Sequence, residues 1–161
     1  MGTTRERMTA PEPKGELTSR MLAMPANANP NGHMFGGWIM SIMDAAAAMA
    51  ATRHAEGRVV TTAVSDLNFL RPIHAGDAVC CYTQVVRVRG ASMTLDVEVW
   101  VLPQGQGNRV LTANAEFTFA AIDDNGRPRR LARWHRERSC RESTLPDTDP
   151  RGLRIRDRHA C

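Results

Sequence analysis

Residues 27–52 read NANPNGHMFGGWIMSIMDAAAAMAAT. The segment opens polar and turn-rich, passes through Gly36-Gly37, and becomes a run of apolar and small residues. Between Trp38 and Thr52 the only ionisable side chain is Asp44. Apolar residues fall on every side of a helical wheel, a pattern normally found on buried helices. The rest of the chain is therefore expected to wrap this helix. A carboxylate carried inside is costly unless it is paired, hydrogen-bonded or neutralised. Asp44 is thus a candidate for chemistry. The alternatives are an Asp bonded to nearby backbone, or a solvated one on an edge of the helix.

Gly57 reads as the stop of this helix. Beyond it the period changes from helical to two, with strands expected over 58–69, 79–89, 92–102 and 110–122. Arg71-Pro72, Ala75-Gly76-Asp77, Gly90, the Gly-rich 103–108 and Asp123-Asp124-Asn125-Gly126 punctuate them. Met93, Leu95, Val97, Val99 and Val101 share one face. Leu111, Ala113, Ala115, Phe117 and Phe119 are expected to point inward from the last strand. Upstream, 25–33 is a turn-rich loop, and 16–24 is either a strand or an irregular lead-in. One apolar helix with antiparallel strands joined by turns is an α+β arrangement, an antiparallel sheet wrapped around one long central helix. A single sheet around one helix leaves edges uncovered, so a homo-oligomer is expected.

The 161 residues suffice for one domain with a real core. The net charge of +4 divides unevenly. Residues 1–126 hold 10 Lys and Arg against 12 Asp and Glu, whereas 127–161 hold 11 Arg against 5 acids. The chain is accordingly divided into a flexible arm (1–15), a folded body (16–128) and an Arg-rich, disordered tail (129–161), with a short helix expected near 131–138. A body without net positive charge argues against nucleic acid as a partner. The apolar run 38–51 is too short to span a bilayer comfortably and carries Asp44, so no membrane partner is expected. No signal sequence is expected at the start. Cys80, Cys81, Cys140 and Cys161 form no Cys-x-x-Cys spacing, which points to reduced thiols, a cytoplasmic protein and no zinc site. His54, His74, His135 and His159 show no metal-ligand spacing either.

The run NANPNGHMFGGWIMSIMDAAAA resembles the signature of the hotdog-fold acyl-CoA thioesterases of the cytosolic acyl-CoA hydrolase type. RVVTTAVSDLNFLRPIHAGDAVCCYTQV, a Gly-Ala-Ser turn and LDVEVWV continue the likeness, with FLRP-x-x-x-Gly-Asp as a second, independent match. The resemblance spans about residues 17–128 and leaves the tail uncovered. It implies the hotdog fold, two subunits joining their sheets edge to edge, and often a trimer of such dimers. It implies hydrolysis of a fatty acyl-CoA to the free acid and CoA, with CoA as part of the substrate and no separate cofactor. The family's helix Asp maps onto Asp44, its loop Asn onto Asn29 and its helix-start Gly onto Gly37. His33 is a departure, since relatives more often carry a small polar residue there.

Thioester hydrolysis needs an activated water or nucleophile, a donor for the oxyanion and a grip on CoA. Asp44 can serve as general base or as nucleophile. Asn29 can orient the water or polarise the carbonyl through its amide. Backbone N–H groups at Gly36 and Gly37 sit at a helix N-terminus, where free donors and the positive dipole end coincide. Arg71, Arg89, Gly90 and Ser92 are candidates for the CoA phosphates. Gly37 and Asp44 lie seven residues apart, roughly 10 Å along a helix. One helix can hardly aim both at one carbonyl carbon, so the site is expected to be shared across a dimer, Asn29 and Gly37 from one chain and Asp44 from the other. Two rivals remain: a hydroxyacyl thioester dehydratase of the same fold, for which His33 is the nearby histidine, and a non-enzymatic acyl-CoA sensor.

Overall fold

The computed structural model describes residues 12–103 and 107–132. The expected arm up to residue 11, and the tail and short helix from residue 133 on, lie outside the described residues. Within them the elements are β1 (Glu16–Leu22), a short 3-10 turn (Pro25–Asn27), α1 (Gly36–Ala55), β2 (Val59–Phe69), β3 (Ala78–Arg89), β4 (Ser92–Leu102) and β5 (Val110–Ala121). All pairings are antiparallel, in the order β1-β3-β4-β5-β2. The helix lies across one face of this sheet, which makes the architecture the α+β hotdog arrangement. The segment left open between strand and lead-in, 16–24, forms the edge strand β1.

The alanine run explains how closely helix and sheet meet. Met43, Ala46, Ala47 and Ala51 are fully buried, and Ile39, Ile42, Ala50 and Ala55 nearly so. They face Met93, Leu95, Val97 and Val99 of β4 and Phe117 and Phe119 of β5. Small helix residues let the large sheet side chains fill the space between the layers. Each large apolar side chain buried this way is worth roughly 1.5–3 kcal/mol against leaving it in water.

Three expectations are corrected. First, β2 and β3 do not form a hairpin. β2 pairs with β5 at the far edge, and residues 70–77 carry the chain across to β3. Second, Leu111 does not point inward. A bulge between Val99 and Trp100 sets Trp100 opposite Leu111 and leaves Thr112 unmatched. The extra residue flips the face, so Leu111 packs with Trp100, Cys80 and Tyr82 on the outer side of the sheet. Third, the helix is not wrapped all round by its own chain. Met40 (39% exposed), Ala45 and Met49 (50% exposed) remain open to solvent.

The helix stop also differs in detail. The left-handed residue is Glu56 (φ 49°), not Gly57. Gly57 instead makes room for Arg129: a Cβ there would lie 2.8 Å from the Arg129 guanidinium, which donates to the Ala55 carbonyl at 2.8 Å. That contact places a cation at the negative end of the helix. The chain therefore continues to pack after Pro128, with Arg129 N–H donating to Ala121 O and Leu131 N–H to Gly90 O.

Glu56→Gly removes the cost of a left-handed non-glycine residue and is expected to stabilise the fold by about 0.5–1 kcal/mol in denaturant titration. A second prediction concerns pH. Burial pushes the Cys81 thiol up to about 11. The unfolded chain releases that proton first, so the thiol's contribution to stability is complete below about pH 9 and declines as pH rises toward 11. Comparing Cys81→Ala with wild type at pH 8 and pH 10.5 should show the smaller alkaline loss in the variant.

Candidate active site

The loop before α1 is organised by Asn29. Its Oδ1 accepts the backbone N–H groups of Asn31 (2.9 Å) and His33 (3.1 Å). Its own N–H donates to His33 O at 2.7 Å, and its carbonyl accepts Gly32 N–H at 2.9 Å. Gly32 takes φ 79°, which the tight turn requires. With Oδ1 committed to two backbone donors, the orientation of the amide is fixed. Nδ2, a donor, takes no part in these bonds.

The helix follows at once. Phe35 occupies the N-cap position without a side-chain cap, and the first helical bond runs from Ile39 N–H to Phe35 O at 3.1 Å. The N–H groups of Gly36, Gly37 and Trp38 precede it and have no helical acceptor. A Cβ on Gly36 would press on the Phe69 ring at 3.3 Å, whereas one on Gly37 meets nothing within 4 Å. Gly36 thus lets Phe69 close against the helix start, and the space where a Gly37 side chain would stand is open.

These elements border an open cavity of about 390 Å³ lined by Asn29, His33, Gly36, Phe69, Arg71 and Ile73, among others. Asn29, Gly36 and Arg71 are thus brought together. Among the described residues the Arg71 guanidinium has no carboxylate partner. Asp44 does not line this cavity. It is half-buried farther along α1, where its Oδ1 accepts the Thr61 hydroxyl at 2.7 Å. Arg89, Gly90 and Ser92 form the β3–β4 turn, with Gly90 at φ 63°. That turn lies at the far end of β3, roughly 36 Å from the strand's first residue, Ala78. Trp100 packs on the outer face of the sheet, and Cys80 and Cys81 are buried strand residues. Among the described residues no group of His, Cys, Asp and Glu is arranged to hold a metal, and no helix is long and apolar enough to cross a membrane. Sequence reasoning missed Thr61 and Phe69, because only the placement of β2 beside α1 brings them to Asp44 and Gly36.

Residues 31–108 match the thioesterase superfamily. The chain is 50% identical over 123 residues to an uncharacterized acyl-CoA thioester hydrolase of Haemophilus influenzae, covering 74% of this chain and 80% of the relative. The chain belongs to the hotdog-fold acyl-CoA thioester hydrolases. Among solved structures, HI0827, a hexameric broad specificity acyl-coenzyme A thioesterase, superimposes with a TM-score of 0.72 at 47% identity, covering 78% of this chain and 87% of that one. The hexameric thioesterase y2039 from Yersinia pestis gives 0.73 at 46% identity, over 76% and 100%. The thioesterase therefore cleaves acyl-CoA to the free acid and CoA, and CoA enters as part of the substrate.

Because a methyl group at position 37 meets no neighbour in the subunit, Gly37→Ala should keep its unfolding free energy within about 0.5 kcal/mol of wild type. If the Gly37 N–H serves the reaction, the same methyl group would narrow the approach to it. Thiol release from acyl-CoA is expected to fall on the order of 10-fold or more.

Proposed function

We propose that this thioesterase builds each active site from two subunits: Asn29, Gly36, Gly37 and Arg71 from one, and Asp44 with the Arg89, Gly90 and Ser92 turn from the other. The observation that carries the reading is the separation of Asp44 from the cavity. Asn29 and Gly36 line that cavity; Asp44 sits farther along the same helix, on its open face. Around it lie the exposed Met40 and Met49, and on neighbouring β2 the exposed Val60 and Val64. β2 is an 11-residue edge strand with one side unpaired. A long apolar edge of this kind invites another chain. Antiparallel pairing of two β2 strands about a two-fold axis would lay the two helices side by side in opposite directions. Asp44 of each would then approach the helix start of the other, and the β3–β4 turn of each would reach the mouth of the other's cavity.

In this arrangement the N–H groups of Gly36 and Gly37 receive the oxyanion, and Asn29 Nδ2 polarises the carbonyl or holds the water. Asp44 acts either as general base on that water or as a nucleophile forming an acyl anhydride. The Thr61 hydroxyl fixes the carboxylate orientation in both routes. Arg71, Arg89 and the Gly90–Ser92 turn hold the CoA phosphates. HI0827 has also been solved as an aspartate-to-alanine variant, and both it and y2039 are hexameric, which supports a trimer of such dimers here.

Subunit complementation tests the shared site. Asp44→Asn and Asn29→Ala homo-oligomers should each lose on the order of 10²–10⁴ in kcat across a panel of short- to long-chain acyl-CoAs. Co-refolding the two variants in equal amounts should restore about a quarter of wild-type turnover, because half of the dimers then carry one intact site. A mixture as inactive as its parents would place the whole site within one chain.

A further inference from the structure

We propose that His33 is a positioning residue for Asn29, held by a contact chain that runs from buried Asp77 through His74. The inference rests on the reading of Asn29 as a site residue. Asp77 is 6% exposed. Its Oδ2 accepts the His74 backbone N–H at 2.9 Å and lies 3.8 Å from His74 Nδ1. Asp77 N–H in turn donates to His74 O at 3.2 Å. These contacts fix His74 to the turn that starts β3. His33 and His74 then pair as an isolated antiparallel bridge, with their rings edge to face at 4.8 Å and 86°. His33 is bonded to Asn29 twice, through its carbonyl and its N–H.

The geometry matters because the loop tip is otherwise weakly anchored. Pro30, Asn31 and Gly32 are exposed, and the bonds from Asn31 and Gly32 return to Asn29 itself. The base of the loop is tied at Ala23, which exchanges hydrogen bonds with Gly76 and Asp77. Near the tip, the ties to the 70–77 segment among the described residues are the His33–His74 backbone bridge, with the Met34 N–H bond to Ile73 O at 2.8 Å, and the His33–His74 ring contact. An edge-to-face ring pair is a directional contact. It sets how the loop leans over the cavity, and with it where Asn29 Nδ2 points. A donor that acts on the carbonyl as charge develops is sensitive to small displacements. Loss of the ring should therefore lower kcat while leaving KM and folding nearly unchanged.

The test is steady-state thiol release from octanoyl-CoA with His33→Ala, His74→Ala, the double variant, His33→Phe and Asn29→Ala, each checked by thermal unfolding. His33→Ala and His74→Ala are each expected to lower kcat about 3- to 10-fold, with KM within about twofold and an unchanged melting temperature. The double variant should be no worse than either single, because both remove one contact. His33→Phe keeps a ring edge-to-face with His74 and should recover most of the loss. Wild-type kcat in His33→Ala, additive losses, or a Phe variant as slow as the Ala variant would each overturn the proposal. If Asn29→Ala collapses while His33→Ala does not, the positioning role alone fails. If Asn29→Ala turns over like wild type, the site reading fails with it.

Discussion

Close packing of an alanine-rich helix face on an antiparallel sheet is the constraint from which the rest of this structure follows. Ala46, Ala47, Ala50 and Ala51 bring the helix axis near the sheet, and Phe117, Phe119 and Leu95 fill the remaining space. That packing fixes the direction of α1. Its uncapped N-terminus is thereby delivered to the point where β2 ends and the chain crosses to β3. The Asn29 loop, the Gly36-Gly37 donors and Arg71 meet there because three chain segments converge on one end of the helix.

The same packing has a cost on the opposite side. A helix laid on one sheet buries only part of its circumference, so an all-round apolar helix leaves Met40, Ala45 and Met49 facing water. The neighbouring β2 adds Val60 and Val64 and an unpaired edge. Asp44 lies within this open surface, its carboxylate steadied by Thr61. On the proposed arrangement a single contact between subunits covers the apolar surface, pairs the edge and completes the chemistry. Oligomer stability and activity would then depend on the same residues.

Much of the fold was legible because its signals are local. Period-two alternation marked β3, β4 and β5 within a residue or two, and the run from Gly36 marked the helix. Leu111 was misplaced because a bulge is one unpaired residue, and its effect shows only when the partner strand is known. The β2–β5 pairing was hidden for a similar reason: the two strands are separated by β3 and β4, and strand patterns carry no address. The site was partly legible. The motif pointed to Asn29, Gly37 and Asp44, whereas the roles of Thr61, Phe69 and His74 depend on contacts between segments far apart in the chain.

The sequence by itself determined the helix and the four strands after it, the family and the chemistry that the family performs. Each of these is written in short-range periodicity or in a contiguous motif. Only the tertiary structure decided that Asn29 Oδ1 is committed to its own loop, leaving Nδ2 outside those bonds. It also decided that Asn29, Gly36, Phe69 and Arg71 line one cavity and that Thr61 meets Asp44. The physical reason is that the orientation of an amide, and which chain segments converge at one end of a helix, are set by packing and hydrogen bonds. Residue identity specifies which groups are available, and the folded geometry specifies which of them meet.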